Sequence, residues 1–322
     1  LESKNFLIIE TEIGWYNFAR EELLCTFERA SSIAVREMSQ GIFIADGIHD
    51  LNGLAFVKRA GQVLGIAEQF SDISKVLLPE GRFYVRVIDS HKCHGTSEEK
   101  EIGQLLGGIG RVSFSNPDFV VLAYHLDKWY ICTQKYSRNN LEKAKRKAPL
   151  RPFFSPVSMD PAFASFLINM GYFPHGSTLL DPFCGGGGIL MEAGLKGYRV
   201  EGIDILNEMV IGARMNLKYF GIREFSIIKT DFLEFQSDKK YGGIVTDFPY
   251  GRNSHISKER SEFYFRAAQK MSEFLETGSR ACIVTDNMEN LEYFKNFFDI
   301  DIILPQKVHK SLTRYFTRMI KK

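Results

Sequence analysis

A chain of 322 residues is long enough for two or three domains with substantial cores. Its 44% hydrophobic and 25% charged residues are those of an ordinary soluble globular protein. A net charge of +2 excludes a global basic field, and no apolar run reaches the roughly 18 residues that a membrane span needs.

The first seventy or so residues alternate between elements. Phe6–Glu10 reads as a strand, Trp15–Arg29 as a helix, and Ile33–Met38 with Gly41–Ala45 as a hairpin turned at Ser39-Gln40. Leu51–Ala60 reads as a second helix and Val63–Phe70 as a closing strand. That β-α-β-β-α-β order is the ferredoxin-like split unit. A second unit follows, with a strand at Phe83–Ile88, a helix at Ser97–Gly107 capped by Ser97, and a hairpin of Phe119–Leu126 and Trp129–Gln134. The expected divisions are a ferredoxin-like domain at 1–75, a second α+β domain at 76–140, a basic linker at 141–155 and a final domain at 156–322. The linker carries five basic residues and no acid from Lys143 to Arg151, and Lys307 to Lys322 carries six and no acid. Such runs either hold phosphates or remain solvated.

From Phe153 onward strands alternate with helices, which predicts a doubly wound, largely parallel sheet. Asp160-Pro161 opens a helix with Phe163, Phe166, Leu167 and Met170 on one face. Strands are expected at Thr178–Asp181, Arg199–Ile205, Phe225–Lys229, Gly243–Asp247 and Ala281–Thr285, with strand-like segments at Ile300–Leu304 and Tyr315–Ile320. Helices are expected at Ile189–Leu195, after an Asn207 cap, and at Phe263–Leu275 and Leu291–Phe298.

Ligands of such sheets bind outside the carboxyl ends of the strands. Asp181 ends the first strand at the run Asp181-Pro182-Phe183-Cys184-Gly185-Gly186-Gly187-Gly188, Asp204 ends the second, and Asp231 follows the third beside Phe232. The run lacks the dinucleotide spacing G-x-G-x-x-G. An acid at its head repels a phosphate and suits a cationic fragment, such as the ammonium or sulfonium of S-adenosylmethionine. Gly185 and Gly187 let backbone approach the amino-acid end closely, with Cys184 in the same loop. Asp204 can accept two ribose hydroxyls, and Asp231 can accept from the adenine amino group with Phe232 near the ring. A lone Asp at a strand end is more often a helix cap; three in succession beside four glycines favour the cofactor reading.

The fourth strand ends in Asp247-Phe248-Pro249-Tyr250. The amino nitrogen of a nucleobase is a poor nucleophile, because its lone pair is delocalised into the ring. The Asp247 carboxylate and the Phe248 carbonyl can hold its protons and free that lone pair, and Asp247 stabilises the positive charge that develops. Pro249 stiffens the turn, and Tyr250 offers a face for an extruded base. Taken alone the run is a strand-ending turn; beside the Gly-rich loop it points to methyl transfer onto a base nitrogen. It does not distinguish guanine from adenine.

The five cysteines are scattered and odd in number, which suits a reducing cytosol. His91-Lys92-Cys93-His94 lacks a second ligand pair at matching spacing, so no metal is expected.

Several stretches resemble one family. The second half resembles class I S-adenosylmethionine-dependent methyltransferases, and more narrowly the archaeal THUMP-domain tRNA (guanine-10-N2)-methyltransferases. The resemblance is carried by Arg151–Pro161, Leu180–Leu190, Gly202–Asp204, Asp247–Arg252 and Val308–Tyr315, and in the first half by Val112–Asp118. It implies a Rossmann-like catalytic domain, a THUMP domain at 76–140 that binds the acceptor end of tRNA, and cytoplasmic tRNA methylation at guanine N2. No obligate protein partner is inferred from the sequence. Asp181, Gly185, Gly187, Asp204 and Asp231 match the family's cofactor positions, and Asp247 to Tyr250 its amino-group motif. The expected RNA contacts are Arg86, Lys143, Lys145, Arg146, Lys147 and Arg252. The chain departs from the family at Gly186, where Thr is usual, and at Phe248, where Pro is usual. The alternatives are N6-adenine methylation of RNA or DNA, and a tRNA-binding protein without turnover.

Overall fold

A computed structural model of the chain describes residues 6–29, 31–47, 50–89, 96–108, 110–156, 158–249 and 257–322. Contacts divide it into two compact units, Leu1–Asn139 and Asn140–Lys322.

The first unit contains β1 (Phe6–Thr11), α1 (Tyr16–Leu23), β2 (Val35–Ser39), β3 (Ile42–Asp46), β4 (Val57–Ala67), β5 (Arg82–Asp89), α2 (Thr96–Leu106), β6 (Arg111–Val112), β7 (Phe119–His125) and β8 (Trp129–Ser137). Its eight strands form one sheet in the order β2-β3-β1-β4-β8-β7-β5-β6. β5 pairs with β7 and β6 in parallel, and the remaining neighbours are antiparallel.

Three expectations are corrected here. Leu51–Ala60 is not a helix: β4 begins at Val57, and a short apolar run does not separate a helix from a buried strand. Gly61 in β4 lets β8 approach, since a Cβ there would lie 2.7 Å from Cys132 Cβ. The β2–β3 turn falls one residue later, where Gly41 supplies φ +81°. Ser97 lies within α2 rather than capping it. The His91–His94 stretch is outside the described residues, and among the described residues no group of His, Cys, Asp or Glu could hold a metal ion.

The second unit contains α3 (Asn140–Lys145), α4 (Pro161–Gly171), β9 (Thr178–Asp181), α5 (Gly188–Leu195), β10 (Arg199–Asp204), α6 (Asn207–Tyr219), β11 (Phe225–Lys229), β12 (Gly243–Asp247), α7 (Ser257–Glu273), β13 (Arg280–Thr285), β14 (Phe298–His309) and β15 (Leu312–Lys321). The strand order is β11-β10-β9-β12-β13-β15-β14, parallel from β11 to β13 and closed by an antiparallel hairpin. This is the doubly wound sheet predicted from the alternation of elements. Where a linker was expected, α3 and a short 3-10 turn at Ala148–Leu150 stand instead. The segment Leu291–Phe298 is the end of a 3-10 turn at Met288–Phe294, three turn residues and the start of β14.

Local chemistry sets the ends of these helices. Asp160 caps α4 by accepting from the Ala162 N–H at 2.9 Å, with Pro161 in the first helical position. Asn207 opens α6 but does not cap it; the Asp204 carboxylate accepts the Leu206 N–H at 2.9 Å instead. The core of this unit gathers Tyr264, Ala268 and Met271 of α7 with Ile244 and Ile283 of the sheet and with Leu275 and Phe294. Among the described residues, no helix is long and apolar enough to cross a membrane.

Candidate active site

Chain order reverses direction on the two sides of β9: β10 and β11 lie to one side, β12 and β13 to the other. That is the topological switch point of a doubly wound sheet. β9 and β12 are in register at only two positions, Leu179 with Gly243 and Leu180 with Ile244. Beyond them a cleft of about 500 Å³ opens, lined by the Gly-rich loop, Asp204, Asp231, Asp247 and Pro249 among others.

The loop is shaped by its own backbone. The Gly187 N–H donates to the Cys184 carbonyl at 2.8 Å, and the Cys184 N–H to Ile203 at 2.9 Å. Gly185 and Gly187 have φ of +50° and +77°, which favour glycine. A Cβ on Gly187 would also lie 3.1 Å from Ala213 Cβ, so α6 packs directly on the loop. The Cys184 thiol is buried, and burial pushes its pKa up.

The strand-end acids hold different positions. Asp204 uses one oxygen for the Gly185 N–H and the other for the Leu206 N–H, both at 2.9 Å. A carboxylate offers about four lone-pair sites, so this clamp fixes its orientation and still permits two hydroxyl donors. Asp231 is exposed and caps the turn Phe232–Glu234 through the Leu233 N–H at 2.9 Å. Asp181 is only 1% exposed and accepts from the Thr246 hydroxyl at 2.6 Å and the Phe183 N–H at 3.2 Å. Its pKa is pushed up to about 7, chiefly by burial and further by Asp247 and Asp204, against the pull of those two donors. Phe232 lines the cleft but is buried in the core, its ring 5.5 Å from that of Phe183 and 6.1 Å from that of Phe274.

Asp247 ends β12 opposite Val284. Arg314, on β15, brings its Nη2 to 3.7 Å from Asp247 Oδ2, an ion pair too long to be a hydrogen bond. Phe248 turns the other way. Its N–H donates to the Val284 carbonyl at 2.9 Å, and its ring is 1% exposed. That ring stacks on Tyr264 at 5.0 Å and meets Phe183 at 5.0 Å and Phe294 at 5.6 Å. An aromatic nest thus replaces the stiffness that a proline would supply. Pro249 is exposed at the cleft, and Tyr250 and Arg252 lie outside the described residues.

One wall escaped sequence reasoning. Ser155, at the end of the expected linker, and Ser158 and Met159, just beyond it, line the cleft. Asn216 of α6 bolts this stretch in place: its amide accepts the Phe153 N–H at 2.9 Å and donates to the Phe153 and Gly186 carbonyls at 3.1 and 2.9 Å. The Phe153 ring occupies the space above Gly186 and Gly212; a Cβ on either would lie 3.3 or 2.2 Å from it. Gly186 is therefore the residue that fits a neighbouring aromatic ring. The sequence signalled this stretch through the family resemblance of Arg151–Pro161, without showing that it lines the cleft.

The expected RNA contacts divide. Lys145 and Lys147 are exposed and Lys143 is partly exposed. Arg146 instead grips the buried Glu192 carboxylate at 2.7 and 3.3 Å, a tie between α5 and the stretch preceding α4. Arg86, on β5, is exposed 5.5 Å from the Tyr84 ring centre and 3.5 Å from Glu99.

A doubly wound sheet with an acid after each of its first three strands and Asp-x-Pro after the fourth is that of a class I methyltransferase. A family model described as UPF0020, an RMKL-like methyltransferase domain, matches residues 149–315. The tRNA (guanine(10)-N2)-dimethyltransferase of Pyrococcus abyssi is 30% identical, with 89% of this chain and 91% of that protein covered. The enzyme of the same name from Methanothermobacter thermautotrophicus is 31% identical over 81% of each chain. TrmN from Thermus thermophilus shares the fold at a TM-score of 0.56 and 16% identity, covering 98% of this chain and 99% of that one. The chain belongs to the family of the archaeal tRNA (guanine(10)-N2)-dimethyltransferases.

Proposed function

We propose that this chain methylates the exocyclic N2 amino group of a guanosine in tRNA, at the position 10 named for its relatives, with S-adenosylmethionine as methyl donor. One observation carries the reading: Asp247 and Pro249 open into the same cleft as the Gly-rich loop, Asp204 and Asp231. Donor and acceptor sites of a group transfer thereby share one space.

The residues fit the cofactor. The loop glycines leave room beside the Asp204 carboxylate, which is already oriented by two N–H donors. Asp204 would hold the ribose, Asp231 the adenine amino group, and Gly185 with Gly187 the amino-acid end. When bound, the cofactor supplies a methyl carried on a sulfonium. Asp247 and the Phe248 carbonyl would accept the two N2 hydrogens and leave the nitrogen lone pair free for the methyl that the cofactor would supply. The proton lost from N2 passes to Asp247 and then to solvent. Pro249 and Tyr250 would pack against the base.

Residues 1–75 and 76–140 are proposed as ferredoxin-like and THUMP parts, with Arg86 of the first unit and Lys143, Lys145 and Lys147 of the second as phosphate contacts. The setting is the cytoplasm, where tRNA is modified.

Incubating an unmodified tRNA transcript with the protein and labelled S-adenosylmethionine, followed by nucleoside mass spectrometry, tests the reading. N2,N2-dimethylguanosine is the expected end product, as the relatives' name indicates. Label found only in N6-methyladenosine would overturn the choice of guanine. Binding of both cofactor and tRNA without transfer would overturn catalysis.

A further inference from the structure

The stretch Val308–Tyr315 plays no part in the chemistry above. It is the far end of the β14–β15 hairpin. Thr285, the last residue of β13, pairs with Tyr315, yet the hairpin continues through Gln306 with Arg314, Lys307 with Thr313 and His309 with Leu312. Asp247 pairs with Val284, and Val284 with Phe316, so these strand ends share one level. The hairpin tip overshoots that level by about 13 Å, at roughly 3.3 Å per residue, on the side where the cleft opens.

Packing sorts the six basic residues of Lys307–Lys322. Arg318 is fully buried and donates to Asp301 at 2.8 and 2.5 Å. Lys321 donates to the Leu275 carbonyl at 2.6 Å, and Lys322 lies 3.7 Å from Asp299. These three serve the fold. The other three, Lys307, Lys310 and Arg314, occupy the overshooting part, together with exposed His309 and with no acid from residue 302 to the end. Among the described residues, Lys307 bonds within the turn, to the Lys310 carbonyl at 3.2 Å. Arg314 sits at the base of the tip, 3.7 Å from Asp247. A basic tip beside a base-binding carboxylate matches a polyanion whose base must enter the cleft.

We propose that this tip is an RNA clamp: Lys307 and Lys310 hold phosphates beside the target guanosine, and Arg314 positions the Asp247 carboxylate. The clamp rests on the reading of the substrate as RNA.

The test measures affinity of the full chain for an unmodified tRNA transcript across a salt series, with methyl transfer followed in parallel. Lys307→Ala with Lys310→Ala should make the log–log salt slope shallower by about 1.5 units and raise KM for tRNA on the order of tenfold. A control pair, Lys240→Ala with Lys270→Ala, removes equal charge at the opposite end of the sheet and should leave the slope as it is. Arg314→Ala should lower kcat far more than it raises KM, and Arg314→Lys, which keeps a point charge, should recover part of kcat. A wild-type slope in the Lys307/Lys310 variant of an active protein overturns the clamp and spares the function. A shallower slope in a protein that transfers no methyl overturns the function and keeps the clamp as an RNA site.

Discussion

At the residue scale, Asp181 and Asp247 end neighbouring parallel strands in very different surroundings. Asp181 is buried, and its pKa is pushed up to about 7. A raised acid pKa favours the folded state below the unfolded value and loses that contribution as pH rises through about 7. A cation bound nearby reverses the balance by favouring the ionised form. Affinity for S-adenosylmethionine should therefore rise from about pH 6 to about pH 8 more steeply than affinity for its uncharged-sulfur product. Calorimetry with both ligands isolates the sulfonium, and Asp181→Asn should remove the difference. Asp247→Ala should reduce kcat by at least about 10² while cofactor affinity changes little, measured by single-turnover transfer and by calorimetry. Phe248→Ala should destabilise the second unit by about 3–5 kcal/mol, because the ring fills an aromatic nest with Tyr264, Phe183 and Phe294. Denaturant melts would register it.

At the element scale, the cleft depends on α6 as much as on the strands. Asn216 holds both the Gly-rich loop and the Phe153 stretch, and the Phe153 ring lies against Gly212. Asn216→Ala leaves buried carbonyls unsatisfied, at about 1–3 kcal/mol in stability. Cofactor affinity should fall with it, because Ser155, Ser158 and Met159 lose their anchor. A variant that loses stability and keeps full affinity would separate the wall from the site. Gly187→Ala places a side chain at φ +77° and 3.1 Å from Ala213 Cβ. It should weaken the cofactor more than it weakens tRNA binding, and paired calorimetry and filter binding would read the two effects.

At the scale of the whole molecule, charge is distributed rather than global. A net +2 carries no field, so affinity for tRNA must come from local groups. Joint replacement of Lys143, Lys145 and Lys147 by Ala should flatten the salt dependence of tRNA affinity by up to about 2 units. An unchanged slope would return the stretch to the role of a solvated surface. Arg146 is left out of that set because its replacement would strand the buried Glu192 carboxylate and confuse binding with stability.

The sequence by itself determined the doubly wound second unit, the positions of its strand ends and the acids placed there. Strand periodicity, Pro and Gly are local signals, and the chemistry of a strand end follows from its own residues. It also located Asp247-Phe248-Pro249, although not which way Phe248 faces. Tertiary structure decided that question, because only packing against Tyr264 and Phe294, from distant elements, turns the ring inward. Tertiary structure likewise made a cleft wall of the stretch before α4, committed Arg146 to Glu192, and replaced the expected helix at Leu51–Ala60 by β4. It also converted a basic tail into a hairpin that reaches Asp247 through Arg314. Each of these rests on partners from another element of the fold, and local periodicity carries no information about such partners.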